Sequence, residues 1–168
     1  MVSLKEHQLK TKNAIKNDDS NGLLVFHGLG SGKTLTSISI ANNSGKEIVV
    51  IVPASLVNNY KKEIDKFGAN KDKFKIMSYE KSAKTTLELK NKILVVDEAH
   101  RLRNSNKHTK NIIKYSKNAD KIILLTGTPF VNRPNDIAPL INIIAKDKVF
   151  PTDVQEFREL YVKTKLKK

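Results

Sequence analysis

Residues 23–34 read Leu-Leu-Val-Phe-His-Gly-Leu-Gly-Ser-Gly-Lys-Thr, an apolar run that gives way to three glycines at alternate positions and then to lysine and threonine. The apolar run predicts a strand, and Thr34 to Ala41 has the pattern of a helix. The glycines between them form a loop at a helix N-terminus, where unpaired N–H groups and the helix dipole favour anions. Gly28, Leu29, Gly30, Ser31 and Gly32 would offer backbone N–H groups to phosphates, Lys33 would reach the β- and γ-phosphates, and the Thr34 hydroxyl would hold Mg²⁺. The loop departs from the general G-x-x-x-x-G-K-[ST] pattern because His27 stands where the first glycine is expected; His27 reads as a strand-end packing or loop-shaping residue. Some sixty positions on, Ile93-Leu94-Val95-Val96 leads directly into Asp97-Glu98-Ala99-His100. Asp97, at a strand end, suits the Mg²⁺ shell, and Glu98 beside it suits polarising an attacking water. Each segment alone is a common pattern. Together they describe one nucleoside triphosphate site with ATP and Mg²⁺ as its ligands.

Working outward, five short β-favouring runs occupy residues 23–27, 47–52, 74–78, 92–96 and 121–125. Their near-continuous hydrophobicity predicts strands covered on both faces, as in a parallel sheet flanked by helices. Helical spacing appears between them: Leu4, Gln8, Thr11 and Ile15 share a face before the first run, and Leu56, Tyr60, Ile64 and Phe67 share one after the second. The expected class is α/β, mostly parallel, with helices on both faces. In such sheets ligands bind beyond the carboxyl ends of the strands, so the glycine loop and the acidic pair should open on the same edge.

The 168 residues fit one domain, and no apolar stretch approaches the ~20 residues needed to span a bilayer. The N-terminus lacks the apolar core of a secretory signal and the chain has no cysteine, which fits a reducing intracellular setting, cytoplasmic or nuclear. Lysine and arginine number 31 against 17 acidic residues, a net charge of +14 that favours a polyanionic partner, with nucleic acid the leading candidate. A lysine-rich solvated surface is the competing reading of that balance. Lys107, Lys110, Lys114, Lys117 and Lys121 form a stripe after the acidic motif. It reads as a solvated helix face opposite Ile112 and Ile113 in preference to a nucleic-acid track.

Several segments carry a family resemblance. Ile51-Val52-Pro53-Ala54-Ser55-Leu56-Val57-Asn58-Asn59-Tyr60, Asp97-Glu98-Ala99-His100-Arg101-Leu102-Arg103-Asn104 and Leu124-Leu125-Thr126-Gly127-Thr128-Pro129-Phe130 resemble, in order, motifs Ia, II and III of superfamily 2 helicases. The match is closest to the Swi/Snf-type DNA translocases and the poxvirus nucleoside triphosphate phosphohydrolase group. DEAH-box RNA helicases match less well, since Thr126-Gly127-Thr128-Pro129 replaces their usual Ser-Ala-Thr. Leu4-Lys5-Glu6-His7-Gln8 is similar to the glutamine motif, which implies that Gln8 reads adenine, and Ile76-Met77-Ser78-Tyr79-Glu80 looks like motif Ib. The resemblance runs from Leu4 to about Ile144. It implies a RecA-like P-loop ATPase lobe in which Pro53, Ala54, Ser55, Ser78 and Tyr79 lie on the nucleic-acid side. It also implies that His100, Thr126, Gly127 and Thr128 couple the two ligands. Backbone amides and short hydroxyls at strand ends contact phosphates without reading bases, so binding should be largely independent of sequence. Without the resemblance, Ser55 reads as a helix cap and Pro53 as a loop stop.

The family's motor has two RecA-like lobes, and residues 1–168 supply one. No segment beyond Pro129 offers a second phosphate loop or the arginine-rich final motif, and Phe150 to Lys168 reads as an extension towards the second lobe. An arginine finger contributes ~10³ to 10⁵ in rate, so the lobe alone should bind ATP-Mg²⁺ and turn over poorly. The expectation is the N-terminal lobe of an ATP-dependent DNA helicase or translocase, as a fragment or a split subunit, DNA being favoured over RNA by resemblance alone. The alternative is a non-catalytic nucleic-acid-binding module with nucleotide as a structural or regulatory ligand. A GTPase is disfavoured, because Asn70-Lys71-Asp72-Lys73 fails the guanine-reading Asn-Lys-x-Asp pattern at its last position. The poxvirus-like motifs and the Lys/Asn-rich composition suggest a viral source.

Overall fold

The computed structural model describes residues 20–26, 32–127 and 134–161. Within them the chain forms β1 (Gly22–Phe26), α1 (Lys33–Asn43), β2 (Ile48–Val52), α2 (Val57–Phe67), β3 (Phe74–Ser78), the short α3 (Tyr79–Ser82), β4 (Ile93–Val96), α4 (Lys107–Ser116), β5 (Lys121–Thr126), α5 (Ala138–Ala145) and α6 (Val154–Tyr161). Short 3₁₀ turns at Ala54–Leu56, Lys71–Lys73, Ala99–Arg103 and Pro134–Ile137 join them. The five strands make one sheet in the order β1-β5-β4-β2-β3 with every pairing parallel.

Strand alternation divides the core in two. Val49, Ile51, Leu94, Val96, Ile122 and Leu124 point to one face, where Leu102, Ile112, Leu140 and Ile143 from the 99–103 turn, α4 and α5 cover them. Ile48, Val50, Val52, Ile93, Val95, Ile123 and Leu125 point to the other, under Ile38, Ile40 and Ala41 of α1 and Tyr60 and Ile64 of α2. Successive β-branched and leucine residues are thus buried on opposite faces, which is why β2, β4 and β5 read as unbroken apolar runs. The outer strands depart from the expected two-sided burial: β1 and β3 are half-buried along most of their length, and Phe26 is exposed. Among the described residues each has a neighbouring strand on one side only.

The five predicted strands are present within a residue or so of their expected ends. The lysine stripe is shorter than expected. Lys107, Lys110 and Lys114 lie exposed on α4, but Lys117 is its C-cap and Lys121 opens β5. Ile112 is fully buried whereas Ile113 is exposed, so the apolar face of α4 is narrower than the sequence implied. The segment after α5 is tied to the body through Asn142, which accepts from the amides of Val149 and Phe150 (2.9 and 2.8 Å) and donates to the Phe150 carbonyl (2.9 Å). There Phe150, Phe157 and Tyr161 pack ring against ring. The helix predicted around Leu4 to Ile15 lies outside the described residues.

One position in the sheet tolerates no side chain. A Cβ on Gly22 would lie 2.0 Å from the carbonyl oxygen of Ile122 in the adjacent strand. Gly22→Ala must push β1 off β5; the expected cost is about 2 kcal/mol, seen as a fall in Tm of about 4–8 °C in thermal unfolding. An unchanged Tm would contradict the close approach of these strands.

Candidate functional site

Because every strand is parallel, all five carboxyl ends open on one edge. The strand order sorts what they carry. β1, β5 and β4 are neighbours and lead into the loop before Lys33, Thr126 and Asp97; β2 and β3, on the other side of β4, lead into Pro53 and Ser78. Residues expected to serve the nucleotide and residues expected to serve nucleic acid therefore fall on opposite sides of the same edge.

At the nucleotide side, Gly32 precedes α1 in the left-handed conformation (φ 78°), the region that glycine enters without a Cβ penalty. Its carbonyl accepts from both the backbone N–H and the hydroxyl of Thr36, each at 3.0 Å, which fixes the start of the helix. Lys33 is the first helical residue. Its Nζ lies 3.1 Å from Glu98 Oε1, both side chains being largely buried. Thr34 is half-buried in the same turn, and its carbonyl accepts from the Ser37 hydroxyl (2.8 Å).

Asp97 continues β4 by one residue: its N–H donates to the Ile51 carbonyl (2.9 Å). Its side chain is 4% exposed, and Oδ1 accepts from the Glu98 N–H at 2.8 Å. Burial pushes the Asp97 carboxyl above the usual carboxylate range, opposed by the Glu98 N–H and by Lys33. A buried carboxylate held at such a cost is a marker of function more than of stability. Glu98 then turns sharply, with φ 51° and ψ 44°, a left-handed geometry that costs a non-glycine residue roughly 1–2 kcal/mol. The turn ends the strand and returns the Glu98 carboxylate to Lys33.

His100 and Thr126 complete the cluster. His100 Nδ1 lies 3.3 Å from Glu98 Oε2 and 3.2 Å from Thr126 Oγ1, and Thr126, the last residue of β5, is fully buried. Burial lowers the His100 pKa; Glu98 opposes that shift while Arg103, Arg101 and Lys33 add to it. A neutral imidazole between a carboxylate and a hydroxyl follows at neutral pH. Arg103 braces this turn from behind, its Nε donating to the His100 carbonyl (2.9 Å) and its Nη1 lying 3.3 Å from Asp136 Oδ2.

The structure thus brings Lys33, Asp97, Glu98, His100 and Thr126 into one contact network, with Gly127 directly following it. Gln8, Gly28, Leu29, Gly30, Ser31 and Thr128 lie outside the described residues. On the far side of the edge Pro53 is buried, while Ala54 and Ser55 are exposed at the start of the 3₁₀ turn. That turn has no side-chain cap, so Ser55 is not the helix cap that its position suggested. Ser78 caps α3, accepting from the Lys81 N–H at 3.1 Å. The Tyr79 side chain is fully buried, not displayed on the edge; its hydroxyl donates to the Asp97 carbonyl (2.7 Å) and lies 3.3 Å from that of Glu98. Sequence reasoning also missed the hydrogen bond between Ser37 and Tyr60, which joins α1 to α2. A serine in the buried stripe of α1 facing a helical tyrosine was the available signal.

Among the described residues no group of three or more His, Cys, Asp or Glu side chains gathers in a form that would hold a metal. The donor set nonetheless fits Mg²⁺, which binds through one or two protein oxygens and takes the rest of its shell from phosphates and water. Asp97 and Thr34 are the oxygens available. A separate cavity of about 600 Å³ opens at the amino ends of the strands, bordered by Asn21, Lys46, Lys90, Lys117, Lys121 and Lys146. There Lys146 donates to the carbonyl of Ala119, in the connection between α4 and β5, and Lys46 pairs with Asp120. That cavity is remote from the network around Glu98.

Comparison with known proteins gives the family and the fold. The SNF2-related domain family matches residues 5–93 and 69–167. The protein L538 of Acanthamoeba polyphaga mimivirus, provisionally named an ATP-dependent RNA helicase, is 37% identical over 165 residues, covering 95% of this chain and 36% of its own length. The human DNA repair and recombination protein RAD54B is 30% identical over 158 residues, covering 73% of this chain and 17% of its own length. Among solved structures, the Sulfolobus solfataricus SWI2/SNF2 ATPase core in complex with dsDNA superposes with a TM-score of 0.72 at 23% identity, over 96% of this chain and 39% of that one. The Pyrococcus furiosus Hef helicase domain does so at 0.65 and 19% identity, over 84% and 36%. These likenesses establish the RecA-like fold, and the chain spans little more than a third of the first relative's length. The chain belongs to the SNF2-related domain family.

Proposed function

We propose that this chain is the ATP-binding RecA-like lobe of a motor that moves along DNA, and that it works with a second RecA-like lobe in the same or another chain. The observation that carries the reading is the meeting of Lys33 and Glu98 at 3.1 Å beside buried Asp97, groups brought together from two segments far apart in sequence. DNA is taken over RNA from the relative named for DNA repair and the SWI2/SNF2 core solved on dsDNA, against the RNA-helicase name of L538.

The roles follow from the chemistry. Gly28, Leu29, Gly30, Ser31 and Gly32 would wrap the phosphates with backbone N–H groups, and Gln8 would select adenine. Lys33 would exchange its carboxylate partner for phosphate oxygens, since a triphosphate carries more charge than Glu98. That exchange leaves the Glu98 carboxylate free to orient a water, with the neutral His100 beside it to accept or relay a hydrogen bond from Thr126. Mg²⁺, held by Thr34 and Asp97, would screen the phosphate charge. Thr126 and His100, with Gly127 and Thr128 beyond, would transmit the state of this site towards β2 and β3. There Ala54, Ser55 and Ser78 would contact the nucleic-acid backbone, largely through main-chain groups and short hydroxyls, while Pro53, buried and without an N–H, would shape the turn that presents them.

Three outcomes follow. Lys33→Ala weakens binding of a fluorescent ATP analogue by about tenfold or more, whereas Glu98→Gln keeps that affinity and lowers turnover of the assembled motor by about 10²-fold or more; wild-type turnover in Glu98→Gln would remove Glu98 from its role. Asp97→Asn keeps the hydrogen bond from the Glu98 N–H and relieves the buried charge, so its Tm equals or exceeds wild type while Mg²⁺ ceases to tighten nucleotide binding. A lower Tm with intact Mg²⁺ dependence would contradict the assignment. Affinity for duplex DNA falls linearly in log–log form with salt in proportion to the lysines that engage phosphates; a flat salt response would refute a role for the +14 charge and leave only the neutral main-chain and hydroxyl contacts.

A further inference from the structure

The left-handed turn at Glu98 needs something to hold it, and the ladder between β2 and β4 shows what. The two strands are parallel with Ile51 opposite Val96. Along this pair the Ile93 amide donates to the Glu47 carbonyl (3.0 Å) and the Asp97 amide to that of Ile51 (2.9 Å). The regular alternation of a parallel ladder then assigns the Asp97 carbonyl to the N–H of residue 53. Residue 53 is proline and has no N–H.

The vacancy in the ladder is filled from the next strand but one. Tyr79, the first residue of α3 after β3, reaches across the end of β2 and donates its hydroxyl to the Asp97 carbonyl at 2.7 Å, with the Glu98 carbonyl at 3.3 Å. Those two carbonyls belong to the two peptide planes that flank the Glu98 Cα. In extended backbone, successive carbonyls point to opposite sides, whereas helical geometry of either hand turns them the same way. One donor reaches both only while Glu98 stays out of the extended region. The phenol is itself held rigidly, with His108 edge-on to the ring at 5.1 Å and the Arg101 guanidinium over it at 5.5 Å.

We propose that Tyr79 is the positioning residue that aims the Glu98 carboxylate: by filling the acceptor that Pro53 leaves open, its hydroxyl keeps the backbone at Glu98 out of the extended form and in the turn that brings the carboxylate to Lys33. The functional part of this inference rests on the proposed ATPase role of the site; the geometric part does not. In the full-length protein, Tyr79→Phe lowers kcat for DNA-stimulated ATP hydrolysis by about tenfold, with KM for ATP and affinity for DNA within about twofold of wild type. Ile112→Val, in the same core, removes packing without touching either carbonyl and leaves kcat near wild type. In Pro53→Ala/Tyr79→Phe the restored N–H completes the ladder, and kcat recovers at least partly. A Tyr79→Phe enzyme within twofold of wild type, a loss no larger than that of Ile112→Val, or no recovery in the double variant would each overturn the inference. A crystal structure of Tyr79→Phe reads the geometry without reference to turnover: Glu98 leaves the left-handed region or its carboxylate leaves Lys33. If the wild-type protein shows no Lys33-dependent hydrolysis yet this displacement occurs, the positioning role stands and the ATPase reading falls. If hydrolysis is present and the turn is undisturbed, the reverse holds.

Discussion

The constraint on which the rest of the structure depends is that five strands run the same way. A parallel sheet places the ends of all its strands on one edge and requires a crossover between each pair, so helices must cover both faces. The edge then holds every loop that follows a strand. With the order β1-β5-β4-β2-β3, the chain crosses from β1 to β2 and later returns to insert β4 and β5 between them. That path sets Lys33, Thr126 and Asp97 beyond or at the ends of three neighbouring strands even though they are distant in sequence, and it sets Pro53 and Ser78 on the opposite flank. No local feature of any one segment produces the cluster.

Stability is given up at this edge in two places. Asp97 keeps a carboxylate where burial disfavours its charge, and Glu98 occupies a backbone region that glycine would enter freely. Both are offset by hydrogen bonds specific to the site: the Glu98 N–H on Asp97 and the Tyr79 hydroxyl on the two carbonyls. The core beneath needs no such compensation. Its two faces are mainly Val, Ile and Leu with few polar atoms; of the hydroxyls buried among them, Ser37 bonds to Thr34 and Tyr60 and Ser82 to Tyr79, while those of Ser39 and Thr109 have no partner among the described residues. A rigid apolar sheet supporting a strained polar rim is the arrangement expected where precise charge placement matters more than local stability.

Much of this was legible in the sequence because it depends on short-range pattern. Apolar-rich runs of four to six residues marked the strands, unbroken in β2, β4 and β5, and Gly32, Lys33 and the acidic pair marked the rim. Membership of the SNF2-related domain family agrees with the resemblance carried by the motifs around Pro53, Asp97 and Thr126. What the sequence did not show was tertiary. Strand order decides which face of the edge each motif serves, and it is invisible to periodicity. Tyr79 read as part of a nucleic-acid motif because its neighbour Ser78 does, yet its side chain turns inward to the acidic turn. Lys117 and Lys121 continued a helical spacing that the chain abandons at Ser116 for β5. Ile113 looked like a core residue by type and lies exposed because α4 rests on the sheet through Ile112.

The central claim is that the Lys33–Asp97–Glu98 cluster is where a nucleotide triphosphate and Mg²⁺ bind. Its most direct test is a crystal structure of the protein with Mg²⁺ and a non-hydrolysable ATP analogue. Terminal phosphates are expected against Gly32 and Lys33, with Mg²⁺ held by Thr34 and Asp97 and Lys33 Nζ moved from Glu98 to a phosphate oxygen. Nucleotide bound elsewhere, or bound at this edge with the Lys33–Glu98 pair intact and no ion at Asp97, would contradict it.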